Sequence, residues 1–271
     1  MKTYSKLLLA FLFLILVAPP VAVADPASEW EQLNTQVTEN YQAGKYDLAA
    51  KLAKKQLALA EKHLPYHLAT SLNNLAALYY AQGKFALAEP LYKRSLAIWE
   101  KALGPDHPSV ANAFNNLAEL YRAQGKYALA EPLYKRSFAI WEKALGPDHP
   151  QVATSLNNLA ELYRDQGKFV QAEPLYKRSL AIKEKALGAE HPSVATSFNN
   201  LALLYKTQGK FALAEPLYKR ALAILEKALG PDHPQVARSL NNLAALYRAT
   251  GRKAEAEKLE KRAAAIEAKP R

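Results

Sequence analysis

The chain has no cysteine in its 271 residues and a single methionine. Without thiols no disulfide can brace the fold and no metal site can use thiolate, so stability has to come from an apolar core. No Gly-rich phosphate loop, HExxH helix or carboxylate pair occurs, so no residue set motivates catalysis, a cofactor or a metal, and the chain is expected not to be an enzyme. The Asn-x-Ser/Thr sequon is missing as well, which for an exported chain points to a bacterial envelope over a eukaryotic secretory route. Half of the residues are apolar and the formal net charge is +11, a composition that folds rather than one that stays disordered or sits in a membrane.

Residues 1–24 differ from the remainder. Lys2 and Lys6 precede an apolar run from Leu7 to Val17, and Ala22-Val23-Ala24 supplies small residues for a cleavage site. The run is too short to span a bilayer comfortably, which is the pattern of a secretory leader cut after Ala24. A lipid-anchored form is excluded, because there is no cysteine to acylate. The expectation is an exported protein, periplasmic or secreted, with residues 25–271 as a single domain and no transmembrane segment once the leader is removed.

Internal repetition decides the fold class. Asn73, Asn115, Asn157, Asn199 and Asn241 recur every 42 residues, and so do Gly83, Gly125, Gly167, Gly209 and Gly251. Within one unit Phe114, Leu117 and Tyr121 share a face at helical spacing; Gln124-Gly125-Lys126 ends that helix, and Tyr127, Ala130, Tyr134, Ser137 and Trp141 form the stripe of a second. Leu145-Gly146-Pro147 closes the second helix and Pro150 is placed to open the next unit. Each unit is thus a helical hairpin. Pro90, Pro132, Pro174 and Pro216 fall inside the second helices, where a late helix start or a mild bend is expected.

The Asn115–Ser137 segment NNLAELYRAQGKYALAEPLYKRS, followed by LGPDHP, resembles the tetratricopeptide repeat family in its 42-residue form, found in kinesin light chains and many bacterial proteins. The likeness implies an all-α, right-handed solenoid of about six antiparallel hairpins, with Ala118 and Ala130 at the close approach of the two helices. The first hairpin, 29–63, is divergent, with Gly44 only 39 residues before Gly83 and Leu33, Val37 and Tyr41 supplying its first helix. Five hairpins of the 42-residue type fill 66–268. The last replaces the positions of Tyr127 and Tyr134 by Lys253 and Glu260, as a terminal unit without a neighbour should.

On a helical wheel the asparagines lie opposite the packing stripe, on the face that the resemblance implies lines a concave groove. The paired amides Asn73 and Asn74, Asn115 and Asn116, Asn157 and Asn158, Asn199 and Asn200, and Asn241 and Asn242 could grip a peptide backbone about every third residue. Kinesin light chains, which the chain resembles, hold cargo peptides by asparagines on this face. The alternative is that one amide of each pair bonds across the stack and fixes the repeat geometry. Arg122, Arg164, Lys206 and Arg248, with Arg238, make one flank basic and suited to an acidic peptide or a carboxylate; Glu119 and Glu161 partly offset it and are spaced to pair with Arg122 and Arg164.

The Lys93-Arg94, Lys135-Arg136, Lys177-Arg178 and Lys219-Arg220 row belongs to the outer face, a solvated surface or one for weak contact with anionic polymers or lipids. His107, His149, His191 and His233 stand one per loop, too far apart to share a metal, and read as turn and cap residues, with His67 the irregular fifth. Ser71, Ser155, Ser197 and Ser239 have no histidine placed as a base, and no nucleic-acid-binding module is present. The functional expectation is a scaffold for a protein or peptide partner, the alternative being an envelope assembly element acting through its outer face or by self-association.

Overall fold

The structure, a computed structural model, describes residues 25–269, so the leader expected in 1–24 lies outside it. Among the described residues there are twelve α-helices and no strand: α1 Pro26–Gln42, α2 Tyr46–His63, α3 Leu68–Ala81, α4 Phe85–Leu103, α5 Pro108–Ala123, α6 Tyr127–Leu145, α7 Pro150–Asp165, α8 Phe169–Leu187, α9 Pro192–Thr207, α10 Phe211–Leu229, α11 Pro234–Ala249 and α12 Lys253–Glu267. They form six hairpins, and each packs on the next through its second helix. A 3-10 turn, Pro65–His67, takes up the shorter link between the first two.

The two helices of a unit meet through side chains too small to hold them apart. Ala76, Ala118, Ala160, Ala202 and Ala244 on the first helices, and Ala88, Ala130, Ala172, Ala214 and Ala256 on the second, are all buried in one continuous cluster. Tyr92, Tyr134, Tyr176 and Tyr218 fill the space this leaves. On the first helix of the first hairpin the buried residues are Trp30 and Val37, whereas Tyr41, expected on its packing face, is 42% exposed.

Helix ends follow from backbone chemistry. At Gly167, φ is +72°, the Gly167 N–H donates to Arg164 O at 2.9 Å, and the Lys168 N–H reaches back to Tyr163 O at 2.8 Å, a six-residue closure that consumes the last carbonyls of α7. At the opposite end His107, His149 and His191 sit in extended backbone, and each imidazole Nδ1 accepts the N–H of the residue two further on at 3.1 Å. The following proline has no N–H to leave unsatisfied. His67 makes no such cap; its ring packs on Trp30 at 4.2 Å.

The internal prolines do not delay their helices, which begin five residues earlier, at Phe85, Tyr127, Phe169 and Phe211. Pro90 and Ala86, whose carbonyl the ring leaves without its donor, are both exposed, so water can satisfy what the helix gives up.

Successive first helices touch one another, α3 with α5, α5 with α7 and α9 with α11, and no pair of second helices does so to that extent. The array therefore curves with the first helices on its inner side. Gly167→Ala should cost about 1 kcal/mol in urea denaturation, because nothing obstructs the added Cβ and the left-handed backbone alone resists it. His149→Ala should cost about 1 kcal/mol, and His149→Asn, which restores an N-cap acceptor, should recover most of it.

Candidate functional site

The inner face carries the asparagines, and they are first of all a ladder between units. Asn116 Nδ2 donates to Asn73 Oδ1 at 2.9 Å, Asn158 to Asn115 at 2.7 Å and Asn200 to Asn157 at 2.8 Å. The second amide of each pair thus reaches back to the first amide of the preceding unit. Asn34 of α1 is the starting rung, accepting from Asn74 and from Gln56, both at 3.0 Å. It was legible, since it precedes Asn73 by the same 39 residues that separate Gly44 from Gly83. The bonding across the stack weighed as an alternative is therefore present, and a pure grip on ligand backbone does not describe these residues. What remains toward the groove is the second half of each amide, such as the Asn158 oxygen or the Asn115 nitrogen.

The ladder stops before its last rung. Asn199 Oδ1 is buried with no hydrogen-bond partner, and Asn242, which should donate to it, does not. Asn241 instead gives a long bond to Glu267 at 3.4 Å. Asn199, Asn200 and Asn242 line a cavity of about 120 Å³ together with Thr196, Leu225, Gln235 and Arg238.

The basic flank is largely spent inside the fold. Arg122 forks onto Glu119 at 3.0 and 2.6 Å, reaches Asp165 at 2.6 Å and Glu161 at 3.4 Å, and is only 18% exposed. Arg164 turns to Asp165 at 2.7 Å, so the expected Glu161–Arg164 pair is not made. Glu161 is taken instead by Asn157 at 2.8 Å and by Arg122. Asp165, the residue the motif reading missed, stands where other units have Ala81, Ala123, Thr207 and Ala249, and its charge was the available signal. Arg248 pairs with Glu260 at 2.5 Å. Lys206 and Arg238 have no carboxylate within 4.0 Å among the described residues.

Tyr80, the tyrosine in the cation position, donates to Glu119 at 3.0 Å, and Tyr134 donates to the other oxygen at 2.5 Å. Burial pushes the Glu119 carboxyl up, but the Arg122 and Tyr134 hydrogen bonds and the Arg122 charge outweigh it, and the net shift is downward. Burial, with the Glu119 charge, pushes the Tyr80 hydroxyl up to about 12. Beside this network, near the first hairpins, lie one cavity lined by Val37, Thr38, Tyr41, Asn74, Ala77 and Leu78 and another lined by Tyr41, Ala77, Tyr80, Tyr92, Asn116 and Glu119.

A further lysine escaped the motif reading because it stands at a packing position. Lys183 replaces Trp99, Trp141 and Leu225 of the other units, and Leu225 lines the cavity beside Asn199. Burial of its stem pushes the amine down, with partial opposition from Glu161, and no carboxylate lies within 4.0 Å among the described residues.

The outer Lys-Arg row is paired throughout. Lys93, Lys135 and Lys177 bind the glutamate one turn earlier at 2.7 Å and Lys219 does so at 2.8 Å. Arg94, Arg136, Arg178 and Arg220 reach Glu61, Asp106, Glu142 and Glu190. The row is therefore not the free cationic surface that an anionic polymer would seek. The candidate serines Ser71, Ser155 and Ser197 back-bond to carbonyls four residues earlier, in the service of their helices.

Comparison with known proteins agrees with this geometry. The tetratricopeptide repeat model matches residues 39–97, 67–139, 109–185, 158–227 and 193–267. No curated protein matches the chain. Among solved structures, a Podosopora anserina protein described as having "kinesin light chain nearly identical TPR-like repeats" is 34% identical, with a TM-score of 0.61 over 73% of this chain and 94% of its own. BtubC (BKLC) of P. vanneervenii is 26% identical, with a TM-score of 0.64 over 91% of this chain and 95% of its own. PilF of Pseudomonas aeruginosa, at 19% identity and a TM-score of 0.56 over 86% of this chain and 90% of its own, shares the fold.

Glu119→Gln should lower stability by about 2 kcal/mol at neutral pH. Because the folded carboxyl lies below its ordinary value of about 4.3, the wild-type advantage is complete above that value and disappears as pH falls through the lowered one. Urea titrations of both proteins between neutral and strongly acidic pH check this.

Proposed function

This chain belongs to the tetratricopeptide repeat family, with repeats of the kinesin-light-chain type, and on that premise we propose that it is a non-catalytic scaffold holding an extended segment of a partner protein along its first helices. The family supports an interaction scaffold; the groove and the character of its ligand are our reading of the geometry. The leader pattern of residues 1–24 suggests that this takes place outside the cytoplasm, in a periplasm or after secretion.

The observation that carries the ligand assignment is the uneven partnering of groove charges. In the middle, Glu119, Glu161 and Asp165 more than match Arg122 and Arg164. Toward the C-terminal end Lys183, Lys206 and Arg238 have no carboxylate within 4.0 Å among the described residues, and Arg238 lines a cavity where Asn199 Oδ1 and the Asn242 amide are unspent. A cation without a carboxylate partner, held beside open amides, gains more from a ligand carboxylate than one already paired. The segment we infer places an acidic residue against hairpins five and six, backbone along the free halves of the asparagines, and an apolar side chain toward Tyr41 and Tyr80. The outer-face alternative loses its support, since the lysines and arginines proposed for it are already paired.

Thr196 and Arg238 are exposed and take no part in the asparagine ladder. Thr196→Glu with Arg238→Glu should leave helical circular dichroism unchanged and weaken capture of the partner about tenfold, a loss near 1.4 kcal/mol. The partner is the protein that co-purifies with wild type and is identified by mass spectrometry. Undiminished capture by the double variant would sink the groove assignment.

A further inference from the structure

On the face of the solenoid away from the asparagines, four of the five junctions between hairpins carry the same link. Glu89 of α4 accepts from Lys93 at 2.7 Å and from Tyr121 of the next hairpin at 3.0 Å, with Lys126 at 3.6 Å. Glu131 repeats this with Lys135 at 2.7 Å, Tyr163 at 3.0 Å and Lys168 at 3.7 Å. Glu173 takes Lys177 at 2.7 Å and Tyr205 at 2.9 Å, and Glu215 takes Lys219 at 2.8 Å, Tyr247 at 3.3 Å and Arg252 at 2.7 Å. One carboxylate thus collects a tyrosine hydroxyl and a lysine at all four junctions, and a second cation at Glu89, Glu131 and Glu215.

The first junction has every donor and lacks the acid. Lys54, Tyr79 and Lys84 stand where Lys93, Tyr121 and Lys126 stand one unit later, and the glutamate position is Ala50. The donors keep their arrangement: Lys54 Nζ lies 5.9 Å from the Tyr79 ring centroid, as Lys93 does from Tyr121. Among the described residues neither lysine has a carboxylate within 4.0 Å, and the Tyr79 hydroxyl has no hydrogen-bond partner. A cavity of about 310 Å³ opens there, lined by Asp47, Ala50, Lys51, Lys54, Tyr79, Gln82 and Lys84. Asp47, the one acid there, is occupied by Gln82 Nε2 at 3.1 Å. Residues 1–24 contain no Asp or Glu, so that segment cannot supply the group.

We propose that Lys54, Tyr79 and Lys84 form a receptor for one carboxylate side chain of a partner protein, which supplies in trans the group that hairpins two to five carry in cis. The site is separate from the groove. It recognises a Glu-type carboxylate, because the four completed links show that group satisfying this set of donors. A partner docked there would occupy the outer side of the first junction while its extended segment runs along the inner side.

The test uses a fluorescein-labelled acetyl-tetraglutamate amide at low salt, read by anisotropy, with Thr196→Glu and Arg238→Glu present throughout so that the groove does not contribute. Failure here and failure of the groove reading are thereby distinguishable. Ala50→Glu, which fills the site from within, and Lys54→Ala with Lys84→Ala should each weaken binding about tenfold. Ala50→Gln, and Lys93→Ala with Lys126→Ala, which removes the same charge one unit along, should stay within about twofold. Ala50→Glu should also raise the melting temperature, as a fifth completed link. Equal weakening by both lysine pairs would show diffuse attraction and overturn the proposal, as would unaltered binding by a folded Ala50→Glu protein. Displacement by inorganic phosphate at far lower concentration than by free glutamate would overturn the carboxylate assignment, and peptide-dependent dimers in light scattering would replace the partner with a second copy. If Ala50→Glu does not fold, the comparison of the two lysine pairs decides.

Discussion

A hairpin in this chain can bury only part of its apolar surface by itself; the rest is covered when the next hairpin stacks on it. Everything else in the structure serves that requirement. The paired alanines at Ala118 and Ala130 let two helices come close enough to behave as one slab, and Tyr134 and its equivalents fill the seam between slabs. Polar groups then lock adjacent slabs in register from both sides: amides on the inner face, and a glutamate with its tyrosine and lysines on the outer. Each such bond is modest in water, about 1 kcal/mol. Repetition makes the set a continuous brace rather than a few isolated contacts.

Much of this was legible in the sequence because a 42-residue period leaves little freedom. Phe114, Leu117 and Tyr121 declared a helix face, Gly125 declared its end, and Pro150 declared the next beginning. Less legible was where a polar side chain spends its hydrogen bonds, since that depends on which neighbour arrives within reach. Asn115 and Asn116 both lie opposite the packing stripe on a helical wheel, yet one accepts from the unit after it and the other donates to the unit before. Arg122 and Arg164 likewise read as groove charges until Asp165 is seen between them. At Pro132 a late helix start or a mild bend is expected, and the start is not late: α6 begins five residues earlier, and Ala128, whose carbonyl the ring leaves without its donor, is exposed.

Departures from the repeat proved more informative than the repeat. Asp165, Lys183, Arg238 and Ala50 each differ in charge from every residue at the same position of the other 42-residue units. In a regular array a changed residue is surrounded by unchanged neighbours, so its environment is known from the other units. The repeat supplies its own control, and local function is read from the difference.

The cross-unit bonds have one further property. The inner links join residues 43 apart, or 40 at the first rung, and the outer tyrosine bonds residues 32 apart, so none reaches past the adjoining hairpin. A duplication or loss of 42 residues would therefore return every bond to an equivalent partner, with no new surface to invent. In evolutionary terms the number of hairpins is an adjustable quantity, which sets the length of surface the array presents. The shortened first unit and the polar last one stay fixed as the two ends between which the array grows or shrinks.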